Sequence, residues 1–304
     1  MKKLIKQVFI FTFIITVLFT ITLLRANNGY SDPFYKRFTS PKQESLIIGT
    51  SKAAQGLQPS AFKKYFSKNI YNYSFTIVHS PYGIVYYNSI KKKLKENTKN
   101  GLFILTVDPW SISSNTKNPN DSKNFTENDL CLAYTSSVNI NPNLEYIFEK
   151  FSGKYYKLFS QTDKSMFLHD DGWLEVTAEM DSLSVTKRKN EKINTYKKEN
   201  LPNFKLSEFR LKYLKKTIQF LKLHGDVYLL RMPIHPDFFK LEQKLMPQFN
   251  EVISEIVPLT NGYLDLTTTN SKYTYIDGIH LWKESGLLVS EVVANWVAKK
   301  EKSE

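Results

Sequence analysis

The chain predicts an α/β fold, a central parallel sheet with helices on both faces, preceded by one N-terminal transmembrane helix. Three observations carry that prediction. Short apolar runs alternate with stretches of helical period on either side of a long polar middle segment. Residues 102–107 are a continuous apolar run, as expected of a strand covered on both faces. Residues 8–24 contain no charge.

Taken in order, the N-terminus comes first. Seventeen residues at about 1.5 Å each reach about 26 Å, and the flanking Leu4 and Ile5 extend the span toward the roughly 30 Å hydrocarbon core. Lys2, Lys3 and Lys6 precede the run and mark the cytoplasmic side. The run ends Leu23-Leu24-Arg25-Ala26-Asn27, with no small-residue cleavage site and no cysteine to take a lipid. The expectation is an uncleaved single-pass anchor over residues 1–25, with the remainder outside the cytoplasm, periplasmic or extracellular. Residues 26–44 are polar and contain proline, and read as a stalk.

Residues 45–304 read as one α/β domain with an insertion, a cap, at about 111–205. Residues 46–49 give the first strand. Pro59 opens a helix with Phe62, Tyr65 and Phe66 on one face. Residues 70–73 form a second strand, 81–94 a second helix and 102–107 the third strand. The insertion is rich in Asn, Ser, Thr and Lys. It holds a helix over 143–159 and the loop His169-Asp170-Asp171-Gly172-Trp173. The alternation then resumes with a helix over 206–223, a strand over 227–232, a helix over 236–256, a strand over 263–266 and a final helix over 283–299.

Composition bounds the function. The net charge of +13 gathers partly at Lys91-Lys92-Lys93 with Lys95, and at Lys187-Arg188-Lys189 with Lys192, Lys197 and Lys198. No nucleic-acid recognition motif accompanies these clusters, so they read as solvated faces that also favour an anionic membrane or acidic glycan. Cys131 is the only cysteine, which excludes an intrachain disulfide.

Two short segments carry chemistry. Leu46-Ile47-Ile48-Gly49-Thr50-Ser51 is a strand running into a tight turn with a serine at its tip, and Tyr275-Ile276-Asp277-Gly278-Ile279-His280 places an Asp three residues before a His. A hydroxyl needs an imidazole to take its proton, and the imidazole needs a carboxylate to fix its tautomer. Ser51, His280 and Asp277 supply those three groups. Their plainer roles are a helix cap, a hydrogen-bonded imidazole and a turn residue.

Gly49-Thr50-Ser51 with Asp277-x-x-His280 resembles the SGNH (GDSL-like) hydrolase superfamily. The wider pattern, Gly49-Thr50-Ser51-Lys52, Gly56-Leu57-Gln58-Pro59 and Ile70-Tyr71-Asn72-Tyr73-Ser74, is similar to its membrane-anchored branch of D-alanyl transfer and alginate acetylation proteins. The resemblance spans residues 45–299. It implies a flavodoxin-like three-layer α/β/α sandwich, with Ser51 as nucleophile, His280 as base and Asp277 as the orienting carboxylate. The second-block Gly is absent from Asn72-Tyr73-Ser74-Phe75, and Val107-Asp108-Pro109-Trp110 stands where the family has Gly-x-Asn. Those residues supply oxyanion donors in the hydrolases. The Ser51 backbone N–H and the Asn72 side chain are the candidates that remain.

In an open α/β sheet ligands bind beyond the carboxyl ends of the strands, which adds Asn72, Asp108, Trp110 and Arg231 as candidate binding residues. Arg231 offers either a clamp for a carboxylate, phosphate or acyl carbonyl, or an ion pair with Asp108 or Asp265. His235 between prolines reads as structural. The loop at 169–173 reads as a turn carrying an aromatic, and no metal site is assigned. Trp110 and Trp173 either line a sugar-binding surface or are buried.

The expected function is an exported, membrane-anchored serine esterase or O-acyltransferase acting on cell-envelope glycan, with transfer preferred to hydrolysis. It needs no cofactor. Its expected partners are acyl-donor and glycan substrates and a membrane-bound protein that hands acyl groups across, with no nucleic acid. The rival is a non-catalytic envelope protein that keeps the fold to bind a polysaccharide or a membrane partner.

Overall fold

The computed structural model describes residues 1–151, 155–158 and 164–302. Helix α1, Lys2–Leu24, runs into a 3₁₀ turn at Arg25–Asn28. It is long and apolar enough to cross a membrane, with a mean hydropathy of 2.4. The chain that follows is no stalk. Asp32 Oδ1 accepts from the N–H groups of Phe34 and Tyr35 where a short helix, Tyr35–Thr39, begins, and Tyr35, Arg37 and Phe38 are fully buried. The reason is local: Phe34, Tyr35 and Phe38 are large apolar groups set in an otherwise polar stretch, and they pack against Phe75 and Tyr146.

The domain is built from β1 Leu46–Ile48, α2 Ser51–Gly56, β2 Tyr71–Asn72, α3 Ile84–Lys93 and β3 Gly101–Thr106, then α4 Ser182–Thr195, α5 Glu208–Lys222, β4 Gly225–Arg231, α6 Pro236–Leu245, β5 Gly262–Asp265 and α7 Lys283–Glu301. The five strands form one parallel sheet in the order β2-β1-β3-β4-β5. Alternation along each strand divides the core. Leu46, Ile48, Phe103, Leu105, Val227 and Leu229 join one apolar cluster, while Ile47, Leu102, Ile104, Tyr228 and Leu230 join the other. Both faces of the sheet are therefore covered by apolar side chains, which is why β1 and residues 102–105 of β3 are continuous apolar runs and the polar residues of the sheet sit at strand ends.

Several expected elements are shorter. The helix at Pro59 ends at Phe62 and leaves Tyr65 exposed. The helix expected over 236–256 is two, Pro236–Leu245 and Phe249–Ser254, because Pro247 has no N–H to continue the ladder. The helix expected over 143–159 is Leu144–Lys150, capped by Asn143, with a 3₁₀ turn at Tyr155–Leu158; residues 152–154 and 159 lie outside the described residues. The insertion also contains a hairpin, Met166–Leu168 with Leu174–Val176, and the 14-residue helix α4. Asp181 accepts from the N–H groups of Leu183 and Ser184 and starts α4.

Candidate active site

Ser51 is placed by the end of β1. Gly49 has no side chain, and a Cβ there would come within 1.9 Å of Thr106 Oγ1 on β3. Only glycine lets the two strand ends approach so closely. Thr50 is extended and Ser51 is the first residue of α2, so its N–H is among those a helix leaves without an intrahelical acceptor.

The partners come from the turn before α7. Ile276 N–H donates to His280 O at 2.8 Å and Trp282 N–H to Thr274 O at 2.9 Å, closing the turn. Gly278 takes φ +87° at its tip, and its carbonyl accepts from His235 N–H at 3.0 Å. Within the turn, Asp277 Oδ1 accepts from the N–H groups of Ile279 at 3.0 Å and His280 at 2.9 Å. Asp277 Oδ2 lies 2.8 Å from His280 Nδ1, and His280 Nε2 lies 2.9 Å from Ser51 Oγ. A carboxylate only accepts, so it selects the tautomer with the proton on Nδ1 and leaves the Nε2 lone pair facing the serine hydroxyl. An imidazole so placed can take the serine proton while the carboxylate steadies its charge.

The insertion completes the geometry. Helix α4 sends Lys192 Nζ to Asp277 Oδ2, Arg188 Nε to Ile276 O at 3.0 Å and Lys189 Nζ to Asp237 Oδ2 at 2.9 Å. Burial pulls the Asp277 carboxyl upward, but the opposing charges and hydrogen bonds of His280 and Lys192 outweigh it and hold the group well below the usual carboxylate range. The basic run at 187–198 is thus not wholly a solvated face. Lys93, from the other basic cluster, is also buried and donates to Ser40 O, Ser40 Oγ and Val138 O.

The four binding candidates lie near these strand ends, but their side chains are occupied. Asn72 is fully buried, and both of its amide N–H bonds go to backbone carbonyls, Ala53 O and Leu57 O, each at 2.8 Å. Carbonyls cannot donate, so the orientation is forced and Asn72 is not a free oxyanion donor; it braces the carboxyl end of α2. Asp108 Oδ2 pairs with Lys52 at 3.0 Å, and its Oδ1 accepts from Ser111 N–H at 2.8 Å. Arg231 is buried on the ring of Phe249 at 4.3 Å and pairs with Glu242 at 3.2 Å and Asp265 at 3.6 Å, so the ion-pair alternative holds with Asp265 and not Asp108. Trp110 is buried against Tyr196 and Phe204, in a cluster that includes Ile279 of the Asp-His turn.

Sequence reasoning missed Lys52 and Glu242. Lys52 Nζ sits between Asp108 and Glu242, the latter at 2.7 Å, and the chain of charges continues through Arg231 to Asp265. Burial works against the Lys52 ammonium, but the two carboxylates outweigh it and raise the group above its ordinary value. The available signal was Glu242 itself, a carboxylate on the apolar stripe of Phe238 and Leu241 in α6.

Elsewhere, Trp173 is half-buried, donates from its indole N–H to Gln55 O at 2.8 Å and stacks on His169 at 4.5 Å, bracing α2 from the hairpin side. His169 is held by Glu175 at 2.9 Å, and His235 caps α6 through Nδ1. Among the described residues no group of three His, Cys, Asp or Glu side chains could hold a metal ion. A cavity of about 840 Å³ opens between α4 and α6, lined by Asn190, Asn194, Lys197, Lys240 and Lys244 among others; Ser51, Asp277 and His280 do not line it. No family model matches the chain, and no curated protein matches it.

Proposed function

We propose that this chain is an exported, membrane-anchored serine acyl-transfer enzyme of the SGNH type acting on cell-envelope glycan, with its N-terminus in the cytoplasm. The observation that carries the reading is the unbroken path from Ser51 Oγ through His280 to Asp277, at 2.9 and 2.8 Å. A surface built only for binding has no use for those three groups in that order. The strand order β2-β1-β3-β4-β5 is that of flavodoxin-like sheets, and apolar clusters on both faces support a three-layer α/β/α sandwich. In such a sheet the switch between β1 and β3 is where ligands bind, and Ser51 follows β1.

Ser51 Oγ attacks the acyl carbonyl as its proton passes to His280 Nε2. The Ser51 N–H meets the developing oxyanion, since the Asn72 amide is occupied. His280 then protonates the leaving group and the acyl-enzyme forms. A sugar hydroxyl, deprotonated by His280, attacks that ester and regenerates Ser51. No cofactor is required. Transfer is preferred to hydrolysis because an enzyme tethered at the bilayer meets donors handed across by a membrane-bound partner.

One observation favours the alternative of a non-catalytic envelope protein that binds polysaccharide or a membrane partner: the occupied Asn72 leaves no side-chain oxyanion donor among the candidates. The separating experiment supplies the purified full chain with an activated acyl ester, with and without an oligosaccharide acceptor, and reads products by mass spectrometry. Acylated sugar that disappears in Ser51→Ala is the expected result. Free acid released at an acceptor-independent rate means an esterase, and no turnover beyond that of Ser51→Ala supports the alternative.

A further inference from the structure

Helix α1 enters the domain without a spacer. Leu23 and Ala26 are already buried, Thr39 Oγ1 donates to Asn27 Oδ1 at 2.9 Å, and Leu168 N–H donates to Gly29 O at 2.9 Å. The charge-free run at 8–24 reaches about 26 Å, and Leu4 and Ile5 extend it only to about the roughly 30 Å of a hydrocarbon core. A span with no length to spare and no slack after it keeps whatever is packed on residues 29–38 at the bilayer surface.

What packs there is the helix Leu144–Lys150. Tyr146 OH donates to Asp32 Oδ1 at 2.7 Å, Asn143 N–H donates to Tyr35 OH at 3.0 Å, and the Tyr146 ring lies 4.9 Å from Phe38. With Tyr146 and Ile147 turned inward, Leu144 and Phe148 project outward one turn apart, 47% and 50% exposed, and Ile140 precedes them at 52%. On the other flank of the same segment Tyr30 lies 4.7 Å from Phe167, next to the exposed Met166. Apolar and aromatic side chains gathered around the exit of an apolar helix suit a headgroup layer, where one side is oil and the other water.

We propose that this face, centred on Ile140, Leu144 and Phe148 with Tyr30 on its flank, lies in the headgroup layer of the bilayer that α1 crosses. The domain is then held in one orientation. Arg37, in the buried helix after the exit, donates to Asn72 O at 3.2 Å, and Asn72 in turn holds Ala53 O two residues beyond Ser51. The bilayer and the serine are thus joined by packed contacts rather than a flexible link.

The test places the full chain, carrying Cys131→Ser, in vesicles of phosphatidylcholine and phosphatidylglycerol. Single cysteines made by Leu144→Cys, Phe148→Cys, Leu223→Cys and Leu288→Cys are labelled with an environment-sensitive nitrobenzoxadiazole dye, and near-ultraviolet circular dichroism checks the fold. Leu288, at 55%, is comparably exposed and Leu223, at 78%, is more so, and the two serve as references. Emission at 144 and 148 is expected to shift to the blue and to be quenched by lipids spin-labelled near the headgroup, with 223 and 288 unchanged. Water-like emission at 144 and 148 overturns the proposal. So does a blue shift that spin-labelled lipid fails to quench, which means that protein covers the face, and so does release of the full chain from the vesicles by alkaline extraction. None of these outcomes depends on the chemistry proposed for Ser51.

Discussion

Ser51 and Lys52 are neighbours in sequence, and they enter two charged networks of opposite character at the same edge of the sheet. Ser51 joins His280, Asp277 and Lys192 in a path that remains partly open to solvent at the serine and the imidazole. Lys52 joins Asp108, Glu242 and Arg231, all buried, with Asp265 at the far end. Each group in the second network has its charge answered by protein, which fits a structural role. In the first, the path ends at a serine hydroxyl on a partly exposed residue, with only the imidazole as its side-chain partner among the described residues. Residue type does not separate the two networks; what does is whether the last group has somewhere to send its reactivity.

The two networks should answer mutation in opposite ways. The largest expected effect is on the open path: His280→Ala should lower acyl-enzyme formation by about 10⁴-fold or more while the thermal midpoint stays near that of the parent. A comparable loss of stability would show His280 to be structural. In the sealed network the order reverses. Glu242→Ala leaves Lys52 and Arg231 short of a buried partner, and denaturant titration should show a loss of about 3 kcal/mol. An unchanged midpoint would mean that Asp108 and Asp265 alone suffice.

Asn72 lies at the seam, bracing the helix that begins at Ser51. Asn72→Ala takes the amide donor from two buried carbonyls, of which Ala53 O keeps the Leu57 N–H, and should cost about 2 kcal/mol of stability, with activity falling only as far as α2 loosens. Full stability with a selective loss of turnover would return it to the role of oxyanion donor.

The smallest effect is the pH response of Asp277. Its folded carboxyl titrates below the unfolded value of about 3.9, so its contribution is complete above that pH and is lost as pH falls toward the folded value. Between pH 5 and pH 3 the parent should lose about 1 kcal/mol more than Asp277→Asn, measured by denaturant titration at each pH. Equal losses would show that Lys192 and His280 do not hold the carboxyl down.

The parts of this account that were legible in the sequence are the local ones. The parallel sheet follows from continuous apolar runs such as 102–107, and the Asp-His turn from a spacing contained within four residues. Asn72 shows the limit: its place at a strand end is readable, whereas the direction of its amide depends on carbonyls 15 and 19 residues away, one just after α2 and one within it. Lys192 is further out of reach, since it meets Asp277 across 85 residues from a helix whose apolar face is slight. Residues 26–44 differ from their sequence expectation for another reason. Their mean polarity suggests a stalk, but three aromatics among them, Phe34, Tyr35 and Phe38, bury enough surface to order the segment.

Covalent trapping decides whether Ser51 is a nucleophile armed by His280. The full chain is treated with a fluorophosphonate, digested and mapped by mass spectrometry, alongside Ser51→Ala and His280→Ala. The account predicts a single phosphonyl adduct on the peptide containing Ser51, absent from Ser51→Ala and at least about 10³-fold slower to form in His280→Ala. Folded protein that remains unmodified while a reference serine hydrolase is fully labelled in the same tube, or an adduct on another residue, would contradict it.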